Sequence, residues 1–188
     1  MLRHYFHHYR PHVLSCVHDT TKDFARQNFS NIDLRGRTFT GAQLQYAVFR
    51  GANLQGVSLQ DADIRGTIFD AADLSGADLQ GVLAQGAHFR QTLLRRASFR
   101  QALLLSAHLE GAMVPEADFT GANLEWAWVE GVDFQSTIVT CALFLNARGM
   151  SATASRVVES RGGFTGRRAM ILGRELYDMP VLGTVPKL

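Results

Sequence analysis

The residues best suited to chemistry in this sequence are its histidines, and four of the seven crowd the first twelve positions. His4, His8 and His12 have the spacing that lines side chains along one side of a helix, with His7 beside them, an arrangement that could hold a divalent metal. No cysteine or carboxylate completes the set, and Pro11 would interrupt the helix that aligns it. We expect an amphipathic cap there, with no metal and no cofactor. The motifs of hydrolytic chemistry are missing as well: there is no G-x-S-x-G elbow and no H-E-x-x-H pair. The run Gly162-Gly163-Phe164-Thr165-Gly166 lacks both the spacing and the lysine of a phosphate loop. The aspartates recur at fixed offsets, so no two of them stand out as a general acid and base. The sequence therefore points away from an enzyme.

The elements that carry these residues follow a period of five. From Asn31 the chain reads NIDLR, GRTFT, GAQLQ, YAVFR, GANLQ, GVSLQ, DADIR, and the phase holds through GVDFQ, STIVT and CALFL. The fourth residue of each block is apolar from Phe29 to Phe144, and Ala84 alone is small. Two residues earlier sits a small side chain, as at Ala42, Ala47, Ala52, Ala62, Ala72 and Ala77, although the first coil has Ile32 and Arg37 there. Asp or Asn often lies between them, as at Asp33, Asn53, Asp63, Asp73, Asp78, Asp118 and Asn123, and glycine often opens the block.

This period dictates a shape. On an extended chain, residues two apart point the same way, so the small residue and the apolar centre share one side. Five is odd, so a straight strand would send the next centre to the opposite side. A helix fails too, because a five-residue step advances about 500° and scatters the centres around its axis. The chain keeps its centres inside only by turning a corner once per block, and glycine and small polar residues suit such corners. Corners that all bend one way wind the chain into a solenoid.

These blocks resemble the A-(D/N)-L-x-x consensus of the pentapeptide-repeat family over roughly two-thirds of the chain. The resemblance implies an all-β fold, a right-handed quadrilateral β-helix with four blocks per coil and a short α-helical cap at the C-terminal end. Coils spaced by about 4.8 Å would make six of them a rod roughly 29 Å long. Four blocks per coil sort the centres into columns. Phe29, Phe49, Phe69, Phe89, Leu109 and Val129 form one, in which the phenylalanines are expected to stack as a core ladder. Phe39, Leu59, Leu79, Phe99, Phe119 and Val139 form another, and Leu44, Ile64, Ala84, Leu104, Leu124 and Phe144 a third.

The expected organisation is an N-terminal cap or extension over 1–23, the β-helix over 24–147, and a cap helix and tail over 148–188. The cap helix is expected over 151–161, with Ser151 as N-cap and Gly162-Gly163 as stop. Beyond it the tail is basic, then apolar, and should pack on the rod or pair with a second copy.

Function in such a rod must lie on its outside. In the second half, Leu83, Leu93, Leu103, Met113, Trp128 and Leu143 replace the regular Asp or Asn. One outward column would read Val48, Ile68, His88, His108 and Trp128, with Leu105 and Trp126 adding to it. Read together, these residues are expected to form one exposed apolar patch for a protein partner, for a second copy of the chain, or for the chain's own tail. Arg90, Arg95, Arg96 and Arg100 should make a basic girdle, and Glu110, Glu116, Asp118, Glu125, Glu130 and Asp133 an acidic zone beyond it against which the tail could lie. A girdle is not the stripe along one face that nucleic acid requires.

The net charge of +2 calls for no polyionic partner, and Cys16 and Cys141 are too few for a disulfide framework, which reads as a cytoplasmic setting. No stretch reaches the roughly 20 apolar residues of a membrane span. The leading expectation is a non-enzymatic scaffold that binds a protein partner, or itself as a homodimer through the C-terminal region. The family resemblance adds two alternatives. One is a protector of type II topoisomerases such as gyrase, resembling the quinolone-resistance members, although their densely acidic surface is not found here. The other is a secreted bacterial effector.

Overall fold

The computed structural model describes residues 23–166. Along them, the third residue of a block lies parallel to the third residue of the block twenty positions on. Asp23 with Gln43, Asn28 with Val48, Asp33 with Asn53 and Thr38 with Ser58 start four such ladders. One coil therefore takes twenty residues and has four sides, and the chain is a quadrilateral β-helix. Three longer elements close it: β1 (Leu143–Phe144), α1 (Ala152–Ser160) and β2 (Phe164–Thr165), with β1 and β2 paired in parallel.

The corners lie where the period places them, at the first residue of nearly every block, with φ near +60°. Glycine fits there at no steric cost. The corner does not depend on glycine, however, since Tyr46, Trp126 and Cys141 adopt the same backbone at φ 59°, 60° and 57°. An L-residue in that region costs about 1–2 kcal/mol, which the ladders on both sides must offset. At Gly66 a second constraint acts: a Cβ would stand 2.7 Å from the ring of Tyr46, which lies over it from the preceding coil.

Hydrogen bonding accounts for the rest of the block. The centre donates to the next coil (Phe49 N to Ile68 O, 2.7 Å), as does the corner residue (Gly51 N to Asp70 O, 3.1 Å), while the third residue donates backwards (Val48 N to Gln27 O, 2.9 Å). The second residue closes the turn (Ala52 N to Phe49 O, 3.0 Å). Only the fifth N–H is left over, and the Asp or Asn two residues earlier accepts it: Ser30 N to Asn28 Oδ1, 3.0 Å; Ser75 N to Asp73 Oδ1, 2.9 Å; Thr120 N to Asp118 Oδ1, 2.8 Å. This local turn is why the sequence repeats Asp and Asn at that position. Where Met113 replaces them, the fifth residue is Pro115, which has no N–H to satisfy.

The centres and the small residues fill the interior. Phe49, Phe69, Phe89, Phe99 and Phe119 are fully buried. Phe29, Phe49, Phe69 and Phe89 stack with centroids 4.8, 5.1 and 5.2 Å apart and rings within 13° of parallel. Phe99 and Phe119 form a second stack at 4.9 Å. Three small positions are buried threonines, and each donates its hydroxyl to a main-chain carbonyl: Thr67 to Leu44 (2.6 Å), Thr92 to Phe69 (2.9 Å) and Thr137 to Val114 (3.2 Å). A buried hydroxyl without such a partner would cost about 1–3 kcal/mol.

The C-terminal end is closed by α1. Ser151 is its N-cap, the hydroxyl accepting from Ala154 N at 3.1 Å, and Val158 buries its side chain against the last coil. The helix stops at Gly162, with φ 82°. Gly163 then passes so close to Val158 and the Val139 carbonyl that a Cβ would meet them at 2.6 and 3.2 Å. β2 can therefore run on as the start of a further coil beside β1. The tail beyond Gly166 and the N-terminal histidines lie outside the described residues.

Candidate docking surface

Each side of the rod presents one ladder of third-position side chains. The first face carries Gln43, Asp63, Leu83, Leu103, Asn123 and Leu143, and the third Asn53, Asp73, Leu93 and Met113. The fourth carries Thr38, Ser58, Asp78, Ser98, Asp118 and Ile138. The residues expected to form one apolar patch are thus divided among sides. Leu83, Leu103 and Leu143 lie on the first face, Leu93 and Met113 on the opposite one, and Trp128 between them on the second. The reason is arithmetic: residues ten apart in a twenty-residue coil stand on opposite faces.

The second face is different. Asn28, Val48, Ile68, His88, His108, Trp128 and Arg148 follow one another along it, paired in parallel at every step. From His88 onward their side chains stack. The His88 and His108 rings are 4.7 Å apart, His108 lies 5.8 Å from Trp128 with the rings 9° from parallel, and the Arg148 guanidinium covers Trp128 at 4.7 Å from the centroid. Such stacking follows from coil spacing, which places aligned flat groups near contact distance. Leu105 and Trp126 stand on the corner between the first and second faces, so they flank this ladder, and Trp126 is 48% exposed.

On the other corner a charged column runs alongside. Arg50 reaches Asp70 at 3.5 Å, and Asp70 accepts the main-chain N–H of Arg90 at 3.2 Å. Arg90 places Nη1 and Nη2 each 2.7 Å from Nδ1 of His88 and His108, with Nε 3.4 Å from Glu110. Burial pushes the His88 imidazole below its ordinary pKa, and the adjacent His108 and Arg90 add to the effect. Burial alone would raise Glu110, but the groups around it, His108 and Arg90 among them, hold it below the usual carboxylate range. Sequence reading placed the two histidines outward but missed Arg90 as their partner, although a spacing of two residues and a spacing of eighteen within twenty-residue coils could have revealed it.

The arginine girdle is real in position but not free in charge. Arg90 pairs with Glu110, Arg95 and Arg96 with Glu116 (3.3 and 2.7 Å), and Arg100 with Asp118 (2.8 Å). Four arginines thus face three carboxylates of the next coil, which offset most of the charge of the girdle. The pairs of Arg95, Arg96 and Arg100 are largely open to solvent, which screens them, so they add little to stability.

Among the described residues, no three His, Cys, Asp or Glu side chains come together as a metal site. No helix among them is long and apolar enough to cross a membrane. What the second face offers chemically is contact: flat apolar and aromatic surface with ring N–H donors at its edge.

No curated protein matches this chain. Among solved structures it is similar to full-length QnrB1, a plasmid-mediated fluoroquinolone resistance protein, at 21% identity over 84% of this chain and 89% of that one, TM-score 0.38. It is similar to HetL, a pentapeptide repeat protein involved in heterocyst differentiation regulation in the cyanobacterium Nostoc, at 24% identity over 68% and 65%, TM-score 0.33. A pentapeptide repeat protein of the Arabidopsis thaliana thylakoid lumen shares 32% identity over 55% and 68%, TM-score 0.33. None of these likenesses identifies what this chain binds. The family model of pentapeptide repeats matches eight copies, over residues 23–56, 38–70, 72–111 and 106–135. With the matches spanning more than half of the sequence and the five-residue corners and twenty-residue coils in place, the chain belongs to the pentapeptide-repeat family.

Proposed function

We propose that this protein is a non-enzymatic binding scaffold and that its second face docks a protein partner. One observation carries the reading: of the four outward ladders, only this one runs from Val48 to Trp128 without an acidic, amide or hydroxyl side chain. Aromatic residues and arginine are the groups that anchor protein interfaces, and here they are stacked and pre-ordered, so little side-chain entropy remains to be lost on binding. Leu105, Trp126 and Leu103 extend the surface around one corner. Met113 lies on another side and takes no part. Mimicry of DNA gains no support, because Glu110, Glu116 and Asp118 are engaged by arginines.

The test compares partners co-purified with the full chain from its native cell. Ile68→Asn with Trp128→Asn removes the apolar ladder while keeping a residue type that regular blocks use at that position. Ser98→Asn on the fourth face is the control. The double variant should lose a partner that the control retains. Equal retention by both would sink the assignment to the second face.

A further inference from the structure

Arg90 makes contacts that depend on the protonation state of its neighbours. A guanidinium is a donor only and keeps its charge throughout the pH range of folded proteins. The Nδ1 atoms of His88 and His108, each 2.7 Å from it, must therefore both accept. Both rings are then neutral, with the proton on Nε2. Yet Nδ1 of His108 also lies 3.0 Å from Glu110 Oε1. In the neutral state that contact sets two acceptors against each other, and the Arg90 charge beside both compensates.

A proton on Nδ1 of His108 reverses the arrangement. The nitrogen then donates to Glu110 and can no longer accept from Arg90, and two cations face each other across the former hydrogen bond. One nitrogen cannot serve both partners, so the two states exclude one another.

We propose that Arg90, His88, His108 and Glu110 form a two-state latch that acid opens, releasing Arg90 and adding positive charge to the second face. The proposal rests on reading that face as the docking surface and names its regulation. The surroundings are few. His88 packs between Ile68 and His108, with Asp70, Arg90 and Glu110 at the corner. His108 packs between His88 and Trp128, the latter covered by Arg148, with Arg90 and Glu110 at the corner. Asp70 holds the main chain of Arg90 and is met at its other oxygen by Arg50, so it does not hold the Arg90 guanidinium in place. Imidazole is the group in this set whose charge changes between about pH 8 and 5. Burial, with His108 and Arg90 beside it, lowers the His88 pKa against the opposing pull of Asp70 and Glu110.

The experiment is nitrogen-15 NMR of the imidazole and arginine side chains in the full chain, titrated from pH 8 to pH 5 without any partner. At pH 8, His88 and His108 should both carry their proton on Nε2, and Arg90 Nε–H should exchange slowly. On acidification His108 Nδ1 should gain a proton in the same interval in which the Arg90 signal becomes solvent-like. Arg90→Gln should raise the pH at which His88 protonates. An Nδ1–H form of either ring at pH 8 would overturn the latch. So would an Arg90 signal that persists through His108 protonation, or a His88 titration unmoved by Arg90→Gln. Because no partner is present, failure here removes the latch alone, whereas failure of the co-purification test removes the docking reading and leaves the titration intact.

Discussion

Replacing Phe69 with alanine tests the physical account of the rod most directly. The side chain is fully buried and lies between Phe49 and Phe89, with centroids 5.1 and 5.2 Å away and rings 10° and 6° from parallel. Removing it deletes a ring and leaves a cavity whose floor and ceiling are rigid aromatic planes, which resist collapse. Loss of transfer energy plus the cavity comes to about 3–5 kcal/mol for a buried phenylalanine. A domain of this size is stable by about 5–15 kcal/mol, and coils contact only their neighbours, so distant parts of the rod cannot share the damage. Urea unfolding followed by far-ultraviolet circular dichroism should show the midpoint falling accordingly at unchanged slope. Phe69→Leu should recover much of the loss, because Leu109 already fills the same column. A Phe69→Ala loss below about 1 kcal/mol, set against that range, would refute the stacked-ladder account of the core.

Two glycine substitutions separate backbone strain from contact. Gly56 and Gly66 share φ +64°, but a Cβ at Gly56 meets nothing within 4 Å while one at Gly66 strikes the Tyr46 ring. Gly56→Ala should cost about 1–2 kcal/mol and Gly66→Ala measurably more in the same urea assay; equal costs would show that the ring moves aside freely. Stability should also fall with acid in two stages. The His88 pKa is depressed, so its contribution is complete above the ordinary imidazole value of about 6.5 and fades as pH falls below it. Burial raises Asp63 and Asp118, but Arg65 with Gln45, and Thr120 with Arg100, outweigh it and hold both low, so their contribution persists to the carboxylate range and is lost below it. Urea midpoints measured from pH 8 to pH 3 should show both stages, and His88→Asn should abolish the first alone.

Much of this architecture is legible in the chain because its rule is local. An odd block with an apolar centre must turn a corner, and a leftover N–H two residues after Asp33 or Asp73 finds its acceptor within the same block. Ser151 and Gly162 mark the ends of α1 for equally local reasons: one caps orphan N–H groups, and the other takes the left-handed turn. The Phe29–Phe89 stack could be read once four blocks were assigned to a coil. Glycine suits the corner but is not required there, since the position in the block imposes the same turn on Tyr46.

What the tertiary structure decided is adjacency across coils. The block pattern does not distinguish Leu103 from Met113, yet ten residues of winding put them on opposite sides. The arginine girdle looked free along the sequence, whereas one turn of the solenoid brings Glu110, Glu116 and Asp118 against it. The placement of Arg90 between two imidazoles depends on where a long side chain settles among neighbours two and eighteen residues away. Local backbone geometry repeats with the sequence and can be read from it. Long side chains choose among partners supplied by three successive coils, and only the folded rod brings those partners together.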